Sequence, residues 1–169
     1  LEIQMKALDI KQRLYGLNHT KVADCYVGLA TTHTTIGNHE EAIRFLTEAL
    51  IIYTIRNGMM HVTVSNTKTS LAEEFGRVGQ YDKALRLYTE DRKCAISVLG
   101  HAHEDIGTSY TRIGRTLCFL GKFDAADLVL QKGYTILINA LGASHPKTLL
   151  CDALRHVVHT CLGRESWDD

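Results

Sequence analysis

Nine histidines and five cysteines are the residues of this chain best suited to metal or covalent chemistry, and their spacing argues against both uses. His101-Ala102-His103 and the pair His156 and His159 are close in sequence, but no cysteine or carboxylate completes a four-ligand zinc set at familiar spacing. His19, His61, His103 and His145 instead fall at regular 42-residue intervals. Residues so spaced lie on successive packed helices about 8–10 Å apart, too far to share an ion whose bonds are about 2 Å long. They are expected to pack or cap where a helix starts, and no metal or other cofactor is expected. Cys25, Cys94, Cys118, Cys151 and Cys161 are odd in number and lack a Cys-x-x-Cys pair. Reduced, mostly buried thiols of a cytosolic protein are expected rather than a disulfide framework. The chain carries no glycine-rich phosphate loop, no Gly-x-Ser-x-Gly elbow and no His-Glu-x-x-His, so it is not expected to be an enzyme. What remains is ionic recognition. Arg112 and Arg115 are three apart and share a helix face, and guanidinium groups take carboxylates in bidentate fashion.

The elements that would position these residues follow from the same 42-residue interval. It recurs in Gly16, Gly58, Gly100 and Gly142, in Gly37, Gly79, Gly121 and Gly163, and in Ala42, Ala84 and Ala126. Self-similarity at this period is the mark of a solenoid, whose units bury their apolar faces on one another. Each period splits into two helices. Val22, Tyr26, Leu29, Ala30, His33 and Ile36 form the stripe of a first helix that ends at Gly37, where a residue without Cβ allows a C-cap. Ala42, Leu46, Ala49, Leu50 and Tyr53 form the stripe of a second, closed by Gly58. Small residues at Ala30, Ala72 and Gly114, and at Ala42, Ala84 and Ala126, are expected where helices cross closely. The expected organisation is one array over 1–163: a trailing second helix at 1–15, repeats at 19–57, 61–99 and 103–141, and a final first helix at 145–162. An acidic tryptophan-containing tail follows at 164–169. The expected fold is all-α, a right-handed α-solenoid of antiparallel helix pairs with about eight helices.

Composition agrees. Hydrophobic residues make up 45% and charged residues 22%, enough for a core, and the formal net charge of zero recommends neither nucleic acid nor an anionic membrane. No apolar run approaches the length of a spanning helix. The chain opens at Leu1 in what reads as mid-helix, as a fragment would.

A leucine followed by a small residue in the first helix, a glycine between helices and an alanine early in the second resemble the tetratricopeptide repeat. The stretch from Ala7 through Asp9, Arg13, Tyr15 and Gly16 to His19, and Gly121-Lys122-Phe123-Asp124-Ala125-Ala126, resemble the 42-residue repeat of the kinesin light chain type. The resemblance covers nearly the whole chain. It implies a cytoplasmic, cytoskeleton-associated cargo-adaptor module whose concave groove takes extended peptides with a tryptophan flanked by acids, in a parent protein that pairs with kinesin heavy chain. It also implies which first-helix positions face the groove: Asp24, Val27, Gly28, Thr31 and Thr35, then Asn66, Thr69, Ser70, Glu73 and Arg77, then Thr108, Thr111, Arg112, Arg115 and Phe119. Asn66, Thr69, Ser70, Arg77, Thr108, Thr111, Arg112 and Arg115 form the candidate site for an acidic segment, with Arg77 either joining it or pairing with Glu73. Where the family carries paired asparagines this chain has Val27-Gly28, Thr69-Ser70 and Thr111-Arg112, and its last first helix has Arg155-His156 in place of leucine-alanine. These departures favour an alternative: a non-catalytic structural or regulatory segment of a larger scaffold or signalling protein, with an idle groove. Self-association through open ends bearing Leu149, Leu150, Leu154 and Val157 is a further expectation. Glu165-Ser166-Trp167-Asp168-Asp169 resembles the family's ligand, and it is expected either to dock in a groove or to start a truncated second helix.

Overall fold

The computed structural model describes residues 1–164, and the tryptophan-bearing tail lies outside them. Among the described residues there are eight helices and no strand. They fall into two compact units, Leu1–Leu87 and the residues from Tyr88 onward. The first unit holds α1 (Glu2–Tyr15), α2 (Thr20–Thr35), α3 (His39–Asn57), α4 (Val62–Arg77) and the opening turns of α5 (Tyr81–Leu99). The second holds the rest of α5, then α6 (Glu104–Phe119), α7 (Phe123–Leu141) and α8 (Pro146–Cys161).

In the first unit α2 packs on α3, α3 on α4 and α1 on α2. Val22, Leu29, Ala30, Ala42, Leu46, Ala49, Val64 and Ala72 are buried at the predicted stripe and crossing positions. Tyr26 stacks on Phe45 with ring centroids 6.0 Å apart, and the His33 ring lies 5.4 Å from the same phenylalanine. In the second unit α7 packs on both α6 and α8, around Ile106, Ile113, Leu130, Leu137 and Val158. Here glycine allows the approach. A Cβ on Gly107 would sit 2.7 Å from Cγ of Leu137, and one on Gly114 would collide with Leu130. Gly133 of α7 completes the crossing, 3.1 Å in the same sense from the Gly107 carbonyl oxygen.

The punctuation is the same at each repeat. At the end of α2 the Gly37 N–H donates to the Thr34 carbonyl (3.1 Å) and the Asn38 N–H to the His33 carbonyl (2.9 Å), the Schellman pattern, with Gly37 at φ 80°. The same two bonds recur at Gly79-Gln80, Gly121-Lys122 and Gly163-Arg164. The glycines that close the second helices adopt a different conformation. Gly58 has φ 81° and ψ 159°, a region essentially reserved to glycine, in which the chain turns sharply out of α3.

Each first helix then starts on a histidine. Backbone N–H groups donate to the imidazole Nδ1 two residues earlier: Lys21 to His19 (3.1 Å), Thr63 to His61 (3.2 Å), Asp105 to His103 (3.2 Å) and Lys147 to His145 (3.2 Å). The periodic histidines are helix N-caps, satisfying a donor that the first turn leaves open. Pro146 follows one of them at the first helical position, where no N–H is needed.

The cysteines need a correction. All five are free thiols, but only Cys151 is buried; Cys25, Cys94 and Cys118 are half-buried and Cys161 is exposed. Burial pushes the thiols of Cys118 and Cys151 up.

Candidate peptide-binding site

The candidate residues lie on two first helices, α4 in the first unit and α6 in the second. On α4, Asn66 and Ser70 are exposed and Thr69 is half-buried, so this helix offers a polar face of short side chains. Arg77, the last residue of α4, is partly exposed and ion-paired to Glu74. The partner is the glutamate three residues earlier, not Glu73 four residues earlier as the spacing predicts. The reason is burial. Glu74 is 2% exposed and must be paired, whereas Glu73 lies nearer to solvent.

Glu74 gathers three elements. Its Oε1 accepts the Thr34 hydroxyl of α2 at 2.9 Å and the Arg77 guanidinium, and Oε2 lies 2.8 Å from Nδ1 of His39, at the start of α3. Periodicity gave a hint that was missed. Glu74 occupies the position held by Thr32 and Thr116 in the neighbouring repeats, between stripe residues Leu71 and Val78. A carboxylate there must be buried with donors around it.

On α6 the picture differs. Arg115 is exposed, Arg112 and Thr108 are half-buried, and Phe119 is 61% exposed one turn beyond Arg115. The Thr108 hydroxyl donates to the Glu104 carbonyl at 3.0 Å. Thr111 is 6% exposed and its hydroxyl donates to the Gly107 carbonyl at 3.0 Å; near it lies Cys151 of α8, whose thiol donates to the Leu130 carbonyl at 3.5 Å. Thr111 therefore faces the neighbouring helix rather than an open wall, and α6 presents Thr108, Arg112, Arg115 and Phe119. The Lys147 ammonium, 2.7 Å from Oε1 of Glu104, holds that carboxyl below its ordinary range. On α2 the wall position Asp24 accepts the hydroxyl of Tyr53, an α3 residue. Tyr53 is buried, and burial first, the Asp24 carboxylate second, pushes its phenol well above the usual range.

Among the described residues no group of three or more His, Cys, Asp or Glu converges as a metal site would require. Among them, too, no helix is long and apolar enough to cross a membrane. What the two faces can do chemically is non-covalent: hydroxyl and amide groups on α4 for a backbone, guanidinium groups on α6 for carboxylates.

No curated protein matches the sequence. Among solved structures, the fold is similar to one described as a kinesin light chain of Podosopora anserina with nearly identical TPR-like repeats (TM-score 0.83, 18% identity, 96% of this chain and 77% of that one). It is similar to BtubC (BKLC) from P. vanneervenii (TM-score 0.83, 20% identity, 96% and 65%). The Sgt2 TPR domain from Aspergillus fumigatus is more distant in shape (TM-score 0.56, 17% identity, 87% of each chain). At these identities the likeness establishes the fold. The sequence itself matches the tetratricopeptide repeat model over residues 1–54 and 63–139. With most of its length accounted for in this way, the chain belongs to the tetratricopeptide repeat family.

Proposed function

We propose that this chain binds short, extended, acidic peptide segments, in the manner of a kinesin-light-chain-type cargo adaptor in the cytoplasm. The coarser statement holds from the family: a tetratricopeptide array is a protein-interaction module, typically without catalysis, and its partners are proteins. The finer reading is carried by one observation, the exposed Arg115 on the same face of α6 as Arg112 and next to the exposed ring of Phe119. Guanidinium groups beside an aromatic surface suit a ligand that alternates acids with a bulky apolar side chain. On α4, Asn66, Thr69 and Ser70 supply groups that can hold a peptide backbone. Arg77 serves the Glu74 cluster and contributes less. A cytoskeletal setting and a kinesin heavy chain partner for the parent protein belong to the same reading.

The test is fluorescence polarisation with a labelled tryptophan-acidic peptide and its tryptophan-to-alanine twin. We expect micromolar binding that needs the tryptophan, weakens roughly tenfold in Arg115→Ala, about 1.4 kcal/mol, and falls with added salt. Binding indifferent to both the arginine and salt would remove α6 as the site. A second reading is favoured by the replaced asparagines and by the burial of Thr111: a structural or regulatory segment of a larger scaffold whose walls bind nothing. Absence of binding to either peptide would select it.

A further inference from the structure

An imidazole accepts a backbone N–H through Nδ1 only while that nitrogen is unprotonated, and histidine ordinarily changes charge between pH 5 and 8. Four first helices of this chain start on such an acceptor, with N–H to Nδ1 distances of 3.1–3.2 Å. We propose that His19, His61, His103 and His145 form an acid-sensitive set of caps, whose protonation releases the starts of α2, α4, α6 and α8. Protonation does two things at each site. It turns Nδ1 into a donor facing a donor, and it places a positive ring at the positive end of the helix dipole.

The surroundings of the four differ. At His19 the neighbouring charge is the Lys21 ammonium, which also lies over the Tyr15 ring at 4.5 Å, and the imidazole packs 4.9 Å from that ring. At His61 the Thr63 hydroxyl, which accepts from Asn57 Nδ2 at 3.0 Å, lies 2.8 Å from Nδ1. At His103 the Asp105 carboxylate lies 3.6 Å from Nδ1 and gives a protonated ring an alternative partner. His145 sits beside Glu104 and Lys147, charges of opposite sign already paired with each other.

The test uses the full chain and a fourfold variant, His19→Asn, His61→Asn, His103→Asn and His145→Asn. Asparagine caps helices well and does not titrate. Urea midpoints are measured at about pH 7.5 and about pH 5.5, on either side of ordinary imidazole titration. His39 and His159, paired with Glu74 and Asp127, are present in both proteins and cancel. We expect the wild-type midpoint to fall on acidification and the fall to be at least halved in the variant. Equal falls in the two proteins would overturn the proposal. Should the fourfold variant not fold, amide exchange in the wild type decides. Protection at the Lys21, Thr63, Asp105 and Lys147 amides should drop with acid, corrected for intrinsic rate; unchanged protection at these amides overturns the proposal.

Discussion

Two buried oxygens show how single side chains hold this array together. The Glu74 carboxylate, 2% exposed, ties α2, α3 and α4 through Thr34, His39 and Arg77. Glu74→Ala leaves those donors with a cavity between them, and urea denaturation should show a loss of about 1–3 kcal/mol. The range is modest because His39 and Arg77 both reach solvent in part. Tyr53 gives a pH signature. Its phenol is held neutral by burial and by Asp24, so the native state resists deprotonation. The stabilisation is complete below the ordinary phenol value of about 10 and is lost as pH rises through the higher native value. Urea midpoints taken at pH 9 and 11 should therefore fall more steeply in the wild type than in Tyr53→Phe, which has no proton to lose.

Among elements, the turns separate two kinds of glycine. Gly58 has a backbone conformation that a Cβ disfavours, so Gly58→Ala should cost about 1–3 kcal/mol. Gly28 lies inside α2, with open space around the position a Cβ would take, so Gly28→Ala should stabilise by about 0.5–1 kcal/mol. Thermal melts of the two variants, moving in opposite directions, check both. These elements were legible because a 42-residue period repeats turn chemistry: each glycine, histidine and alanine series marks one place in the helix pair. The candidate site was less legible, because periodicity places a residue on a helix face without showing what covers that face. Thr69 and Thr111 are equivalent in sequence, yet Thr111 is buried against Cys151 and Thr69 is half-open. Glu74 was missed for the same reason, since two of its three partners lie 40 and 35 residues away.

Within each of the two units of the molecule, a helix depends on those packed beside it. In the first unit, α1 leaves Ile3, Ile10 and Leu14 at 83%, 55% and 70% exposure, whereas at the same repeat positions as Ile3 and Ile10, α3 buries Phe45 and Ile52 to 7% and 4%. Less buried apolar surface means a lower local opening free energy. Amide hydrogen exchange followed by mass spectrometry should find α1 unprotected well before α3. Equal protection of the two would mean that the first unit opens only as a whole.

The buried carboxylate of Glu74 has a last consequence for a sequence that almost repeats itself. Near-identical units invite mispairing during assembly, a slip of one whole period in which a helix docks on the wrong neighbour, within one molecule or between two. Apolar stripes alone would tolerate such an exchange. A slipped α4 would instead carry its buried charge to where no Thr34 and no His39 wait, and an uncompensated interior carboxylate costs several kcal/mol. The residue that breaks the periodicity thus acts as a key, letting α4 find one address among look-alikes.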